Sequence, residues 1–109
     1  MINCNKLDAI MLELGHTENL RGTGYVRLGV EMYEPGISMT KEVYPAIAAA
    51  ANTTPSRVER AIRHSVERAW SRCDWEVQHK IFGWSVDPEK GKPTNGEYIS
   101  RLARICRED

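Results

Sequence analysis

The chain has 109 residues, and its 15 basic residues balance 15 acidic ones, so the formal net charge is zero. A chain of this length predicts one domain, residues 1–109, with a modest hydrophobic core. Because the overall charge favours no class of partner, any claim of nucleic-acid binding must depend on the local distribution of charge.

No apolar run is long enough to span a membrane, and no signal peptide is recognisable at the N-terminus. The three cysteines are odd in number and widely spaced, which favours reduced thiols over a disulfide framework. We therefore expect a cytoplasmic protein with no membrane contact.

Three helices are predicted in the first half of the chain. Residues 5–14 place apolar side chains at helical spacing, and Gly15 is expected to end that helix. After the sequence RGTG, residues 25–33 fit either a strand or a helix, and their helical neighbours favour a helix. Thr40 is predicted to cap the third helix, in which Pro45 should remove a hydrogen bond or delay the regular part.

The clearest helix start lies in the middle of the chain. Asn52 is predicted to end the third helix in the left-handed conformation. Thr54 then serves as the N-cap, and Pro55 takes the first position of a helix over residues 55–72. Apolar residues recur in this helix at spacings of three and four, which predicts one buried face.

Two more helices are predicted near the C-terminus. Residues 74–82 form a short helix that ends at Gly83, and we expect the aromatic residues Trp70, Trp75, Phe82 and Trp84 to fill the core or cover its edge. The last helix opens with a capping box from Thr94 to Glu97. Its predicted core face consists of Tyr98, Ile99, Leu102 and either Ile105 or Cys106. The predicted fold is all-α, a compact bundle of about six helices.

The polar side of the helix 55–72 carries two rows of side chains. The first row, the cationic ridge, contains no acid and consists of Arg57, Arg60, His64, Arg68 and Arg72. The second row alternates in charge and consists of Ser56, Glu59, Arg63 and Glu67. Like charges at helical spacing repel by a few tenths of a kcal/mol each, so a polyanion would explain the ridge. From the charge pattern alone, a solvated helix with long side chains over the core is an equally good explanation.

The residues before this helix favour DNA as the polyanion. A short apolar helix, the turn ANTT and a longer cationic helix follow each other as in a helix-turn-helix. In that motif the first residues of the second helix reach base edges in the major groove. Arginine can bind guanine through two hydrogen bonds, and glutamate can accept one from the cytosine amino group. These residues are Ser56, Arg57, Glu59, Arg60 and Arg63, which predicts sequence-specific reading of a site containing C and G.

The start of the same helix is a candidate phosphate contact. Thr53, Thr54 and Ser56 lie where backbone amides and hydroxyls can hold a phosphate. Arg68 lies more than two turns beyond Arg60, so we expect it to contact the DNA backbone.

The segments TTPSRVERAIRHSVERAWSR, KPTNGEYI and KEVYPAIA resemble the C-terminal DNA-binding effector domain of stage zero sporulation protein A. Members of that family are master response regulators of endospore formation in Gram-positive bacteria. The resemblance covers nearly the whole chain and is most specific in the run SRVERAIRH. It implies a six-helix bundle with a helix-turn-helix and a transcription regulator that binds double-stranded DNA, without catalytic activity or a cofactor.

The resemblance also implies which residues read DNA and how the domain assembles. The family's recognition residues fall on Arg57, Glu59, Arg60, Arg63 and His64. The family binds boxes with a TGTCGAA-like core, often as head-to-tail pairs. Because the sequence contains no long apolar seam, we expect a monomer in dilute solution. On tandem boxes, where shared binding raises the effective concentration of the neighbour, we expect a homodimer. The chain contains no receiver domain with a phosphoacceptor aspartate, so we expect an excised domain or a stand-alone relative that is controlled from elsewhere.

Two Glu-x-x-His pairs, Glu13 with His16 and Glu76 with His79, are the best enzyme alternative. Di-iron carboxylate bundles use this spacing on long helices that face one interior. Here Gly15 should end the first helix before His16, and the second helix is barely two turns long. We therefore predict that both pairs are ordinary surface residues, and we expect no metal, no catalysis and no small-molecule substrate.

A helical protein-interaction module is the alternative function. It would dock an acidic partner on the cationic ridge. A salt titration would not separate it from DNA binding, whereas sequence-selective competition with oligonucleotides would.

Overall fold

The computed structural model describes residues 1–17, 21–83 and 91–107. Within these ranges the chain forms six α-helices and one π-helical turn. They are α1 (Cys4–Glu13), α2 (Arg21–Met32), the π-turn (Met39–Val43), α3 (Tyr44–Ala51), α4 (Pro55–Arg72), α5 (Trp75–Phe82) and α6 (Asn95–Cys106). The described residues include no strand, only an isolated bridge between Ile2 and Arg107. The prediction of an all-α bundle of about six helices is confirmed.

Helix α4 lies against most of the bundle, with α2 and α3 as its main neighbours and α6 also in contact. Its predicted apolar face is confirmed, since Val58, Ile62, Ser65, Val66 and Ala69 are buried. The opposite side of α4 remains in solvent. No helix among the described residues is both long and apolar enough to cross a bilayer.

The sequence RGTG does not precede the second helix but forms its first turn, so α2 begins four residues earlier than predicted. The reason is tertiary packing. A Cβ atom on Gly22 would lie 2.3 Å from the carbonyl oxygen of Ala61 and 2.6 Å from Cβ of Ser65. Only glycine lets α2 approach α4 this closely, and this packing offsets the cost of about 1 kcal/mol that glycine has in a helix.

The prediction that Thr40 caps the third helix is wrong. Ser38 is the N-cap of the π-turn that leads into α3, and its Oγ accepts a hydrogen bond of 3.0 Å from the Lys41 amide. The Glu42 carboxylate in turn accepts one of 2.7 Å from the Ser38 amide. Since Pro45 has no N–H to donate, the chain first makes the π-turn, and regular α-helix starts only at Tyr44. The expected late start at Pro45 is confirmed.

The other predicted helix ends are confirmed. Gly15 follows α1 with a φ of 93°, and Asn52 ends α3 in the left-handed conformation with φ 55° and ψ 51°. The capping box of Thr94 and Glu97 opens α6. Of the two residues left open for the core face, Cys106 is fully buried, whereas Ile105 is half-buried.

Trp75 was predicted to fill the core or cover its edge, and this prediction is wrong. Its side chain is 69% exposed and stacks on the ring of His79, with the ring centroids 5.2 Å apart. Helix α5 turns Ile81 and Phe82 inward, and Trp75 lies more than one turn before them on the outer side. Phe82 and the half-buried Trp70 pack edge to face, as expected of core aromatics. Trp84 and most of the predicted VDPEKGKP loop lie outside the described residues.

Candidate nucleic-acid interface

Helices α3 and α4 form the predicted helix-turn-helix, joined by Asn52, Thr53 and Thr54. The left-handed Asn52 reverses the chain, and the Thr53 amide donates a 2.9 Å hydrogen bond to the Ala48 carbonyl. Thr54 then caps α4, since its hydroxyl accepts a 3.3 Å hydrogen bond from the Arg57 amide. These local bonds fix where the second helix begins and leave its first turn exposed.

All five members of the cationic ridge are exposed. None of them forms an ion pair with another residue that the structure describes. Arg57, Arg60, Arg68 and Arg72 thus keep their guanidinium donors for a partner outside the protein. A continuous row of this kind, about 23 Å long at 1.5 Å per residue, suits a polyanion.

The second row is neutralised within the protein. Nη1 of Arg63 lies 2.9 Å from Oε1 of Glu59, one helical turn away. Oε2 of Glu67 lies 2.8 Å from Nζ of Lys92, which reaches across from the segment before α6. The hydrogen bond from Lys92 lowers the pKa of Glu67. The expected pairing along this row is confirmed, with Lys92 as the partner that helical spacing could not supply.

The predicted site residues therefore fall into two groups. Arg57, Arg60, His64 and Arg68 share the exposed ridge, whereas Glu59 and Arg63 are bonded to each other on its flank. This bond holds Arg63 over the first turns of α4. It uses one of the five N–H donors of a guanidinium, so the other four are not used by Glu59.

Fewer amides than expected are open at the start of α4. The Arg57 amide is used by the Thr54 cap, the Thr53 amide bonds to Ala48, and Pro55 has no N–H. The Ser56 amide lies in the first turn, where no intrahelical acceptor exists. A phosphate here would be held by the Ser56 amide and by the exposed hydroxyls of Thr54 and Ser56.

A cleft of about 390 Å³ runs beside the second row, between α4, the π-turn and the start of α6. Asn95 lies at its edge and is buried. Nδ2 of Asn95 donates to the Tyr44 hydroxyl at 3.0 Å and to the Glu59 carbonyl at 3.2 Å. Sequence reasoning did not identify this residue. Its only signal was its place in KPTNGEYI, one of the segments that carry the resemblance.

His16 packs against the buried face of α4. The prediction that it is a surface residue is wrong. The ring is buried, with Nδ1 at 3.2 Å from Oγ of Ser65 on α4 and Nε2 at 2.6 Å from Oη of Tyr98 on α6. Burial lowers the pKa of His16 to about 4, so the ring is neutral at physiological pH. Gly15 causes this placement, because its positive φ turns the chain onto the end of α4 near Ala69.

The described residues of the two Glu-x-x-His pairs do not form one group of metal-ligating side chains. Glu13 forms an ion pair of 2.6 Å with Lys80, while His16 turns inward. Glu76 and His79 are exposed, as predicted for surface residues. Within the described ranges, no three His, Cys, Asp or Glu residues are grouped so that they could hold a metal ion.

Comparison with protein families identifies the same relationship as the sequence motifs. The family model described as sporulation initiation factor Spo0A C terminal matches residues 7–105. The match includes the helix-turn-helix, the cationic ridge and α6. Spo0A C-terminal domains are the DNA-binding effector domains of a sporulation response regulator, and the chain belongs to this family.

Proposed function

We propose that this chain regulates transcription by sequence-specific binding of double-stranded DNA, reading a TGTCGAA-like box through α4. One observation carries the proposal. On the exposed side of the second helix of a helix-turn-helix, one row of cations lacks ion-pair partners among the described residues, while the adjacent row is neutralised internally. The cations without counter-charge therefore lie on the side of the helix that a helix-turn-helix turns toward the major groove.

The first two turns of α4 are proposed to read bases. Arg57 and Arg60 are exposed and can each bind a guanine through two hydrogen bonds. Glu59 can accept from a cytosine amino group through the carboxylate oxygen that Arg63 leaves open. Arg63 and His64 complete the base-reading set.

The remaining ridge and the helix start are proposed to hold phosphates. Arg68 lies two turns beyond Arg60, where a recognition helix leaves the bases and approaches the backbone. Thr54 and Ser56 hold a second phosphate at the other end of α4. Contacts of this kind fix the register of the protein on DNA and carry no sequence information directly.

Residues 1–109 are proposed to act as one domain that occupies one box. On tandem boxes, two copies bind head to tail as a homodimer, because binding to one DNA molecule raises the effective concentration of the neighbour. In dilute solution without DNA the chain is expected to be a monomer, and light scattering that shows a stable dimer would contradict this.

The test is fluorescence anisotropy of the purified chain with two labelled duplexes at the same salt concentration. One duplex contains TGTCGAA, and the other has the same composition in scrambled order. We expect the first to bind at least about tenfold more tightly, the ratio that two to three specific base contacts would exceed. Equal affinities for the two duplexes would contradict the proposal of sequence-specific binding.

A further inference from the structure

Asn95 contacts both helices of the helix-turn-helix at once. Its amide nitrogen donates to the hydroxyl of Tyr44, the first residue of α3, and to the backbone carbonyl of Glu59, in the second turn of α4. Asn95 is the first residue of α6 and is buried. Helix α6 thus holds α3 and α4 together at the second turn of α4, where bases are proposed to be read.

The parts of this contact are themselves held in place. The Thr94 amide donates to Glu97 at 2.9 Å, and the Thr94 hydroxyl accepts from the Glu97 amide at 3.2 Å, which fixes the backbone around Asn95. Tyr44 is buried, and burial raises the pKa of its hydroxyl, which therefore stays neutral. Asn95 and Tyr44 are thus a defined donor and acceptor between rigid elements.

We propose that Asn95 is a positioning residue that determines sequence specificity, through the polar tie from Asn95 to Tyr44 and Glu59. The proposal rests on the proposed function of α4. Base contacts require side chains to be placed within about 0.5 Å, whereas phosphate contacts tolerate larger shifts because every nucleotide offers a phosphate. A change in the angle between α3 and the first turns of α4 would therefore weaken binding to the specific box and leave binding to other DNA nearly unchanged.

Gln78 supplies a matched control. Its amide nitrogen donates to the carbonyls of Trp70 at 2.9 Å and Cys73 at 3.3 Å, so it also ties a neighbouring helix to α4. That tie lies at the C-terminal end of α4, about three turns from Glu59. Both ties are partly buried amide contacts to a helix carbonyl, and they differ in which end of the recognition helix they hold.

The experiment compares the wild-type chain with Asn95→Ala, Tyr44→Phe, the double variant and Gln78→Ala. For each protein, anisotropy gives the ratio of its dissociation constants for the scrambled and the TGTCGAA duplexes. Thermal unfolding and circular dichroism are recorded in parallel, so that binding is measured well below the unfolding transition.

We expect the ratio to fall about three- to tenfold for Asn95→Ala and about two- to threefold for Tyr44→Phe, the range that one or two hydrogen bonds supply. Adding Tyr44→Phe to Asn95→Ala should change little, because the donor is already gone. Gln78→Ala should lower the unfolding temperature and leave the ratio unchanged.

An unchanged ratio in Asn95→Ala, with a lowered unfolding temperature alone, would overturn the positioning role and leave only a structural one. An equal fall in Gln78→Ala would also overturn it, since any loosening of α4 would then suffice. If Asn95→Ala does not fold, Tyr44→Phe decides in the same way. A wild-type chain that does not discriminate between the duplexes would overturn both proposals, whereas wild-type discrimination with unchanged variants overturns only the role of Asn95.

Discussion

The two faces of α4 differ in whether their side chains have partners within the protein. On the buried face, Val58, Ile62 and Val66 are at most 1% exposed, and even the Ser65 hydroxyl has a partner in His16. On the exposed face, the arginines of the cationic ridge find no carboxylate among the described residues. The difference shows that the first face holds the helix in the bundle, while the second contributes little to the fold and, under the proposed function, binds DNA. The two should therefore be separable by mutation.

The largest effect is expected on the buried face, from Gly22→Val. The added side chain would collide with the backbone of Ala61, which cannot rotate away, so the free energy of unfolding should fall by about 3 kcal/mol. Denaturant titration measures the loss, and DNA binding should disappear only where the protein unfolds.

Gly24→Ala is the matched control for this prediction. It lies two residues further along the same RGTG sequence, and a Cβ there would meet nothing within 4 Å. Alanine should raise the stability of α2 by up to about 1 kcal/mol. Equal losses in both variants would contradict the packing role given to Gly22.

The next effect belongs to the exposed face. Arg60→Ala should cost about 1–3 kcal/mol of binding free energy on the TGTCGAA duplex and little on scrambled DNA, since a base contact is lost. Its unfolding curve should match that of the wild type, because the side chain is exposed. Equal losses on both duplexes would reduce α4 to an electrostatic clamp, and the base-reading roles of Glu59 and Arg60 would have to be withdrawn.

Acid should lower the free energy of unfolding through protonation of the buried His16. Since the pKa of the folded state is about 4 and the ordinary value is 6.5, the fold favours the neutral ring. This contribution is fully present above pH 6.5 and is lost as the pH falls from 6.5 toward 4. The wild type should lose about 2 kcal/mol of stability between pH 7 and pH 5 through this group.

Denaturant titrations at several pH values check this prediction, with His16→Gln as the reference. The variant removes the titrating ring, so its stability should change less over the same interval. The same pH slope in both proteins would assign the acid sensitivity to other groups.

The smallest effect is expected from Arg68→Ala. The loss of one phosphate contact should weaken binding to both duplexes alike and lower the slope of log affinity against log salt concentration by about one. Anisotropy at several salt concentrations measures the slope. A loss confined to the TGTCGAA duplex would move Arg68 from the backbone to the bases.

Most features that depend on neighbours along the chain could be predicted from sequence, although the local cap at Ser38 was wrongly assigned to Thr40. Thr54, Asn52 and the Thr94–Glu97 box act within a few residues of themselves, so their positions in the structure match the predictions. The members of the cationic ridge were likewise identified by spacing alone. Their assignment to bases or phosphates remains a prediction.

Features that depend on distant parts of the chain could not be predicted. Gly22 and His16 were misplaced because each is explained by a contact with α4 more than 35 residues away. Asn95 was missed for the same reason, since its partner Tyr44 is 51 residues distant. The sequence RGTG around Gly22 contains no local pattern that indicates a contact with α4. The same holds for His16, which directly follows the helix stop at Gly15.

The unpaired ridge also affects how the molecule approaches DNA. Its four arginines carry a charge of +4, and the whole chain carries zero, so all other residues together carry −4. The ridge is therefore balanced by charges elsewhere in the chain, which gives the protein a dipole moment but no net attraction to a polyanion at long range. In the field of DNA such a molecule experiences mainly a torque, which turns the exposed arginines of α4 toward the duplex. Salt should then slow association mostly by removing this orientation.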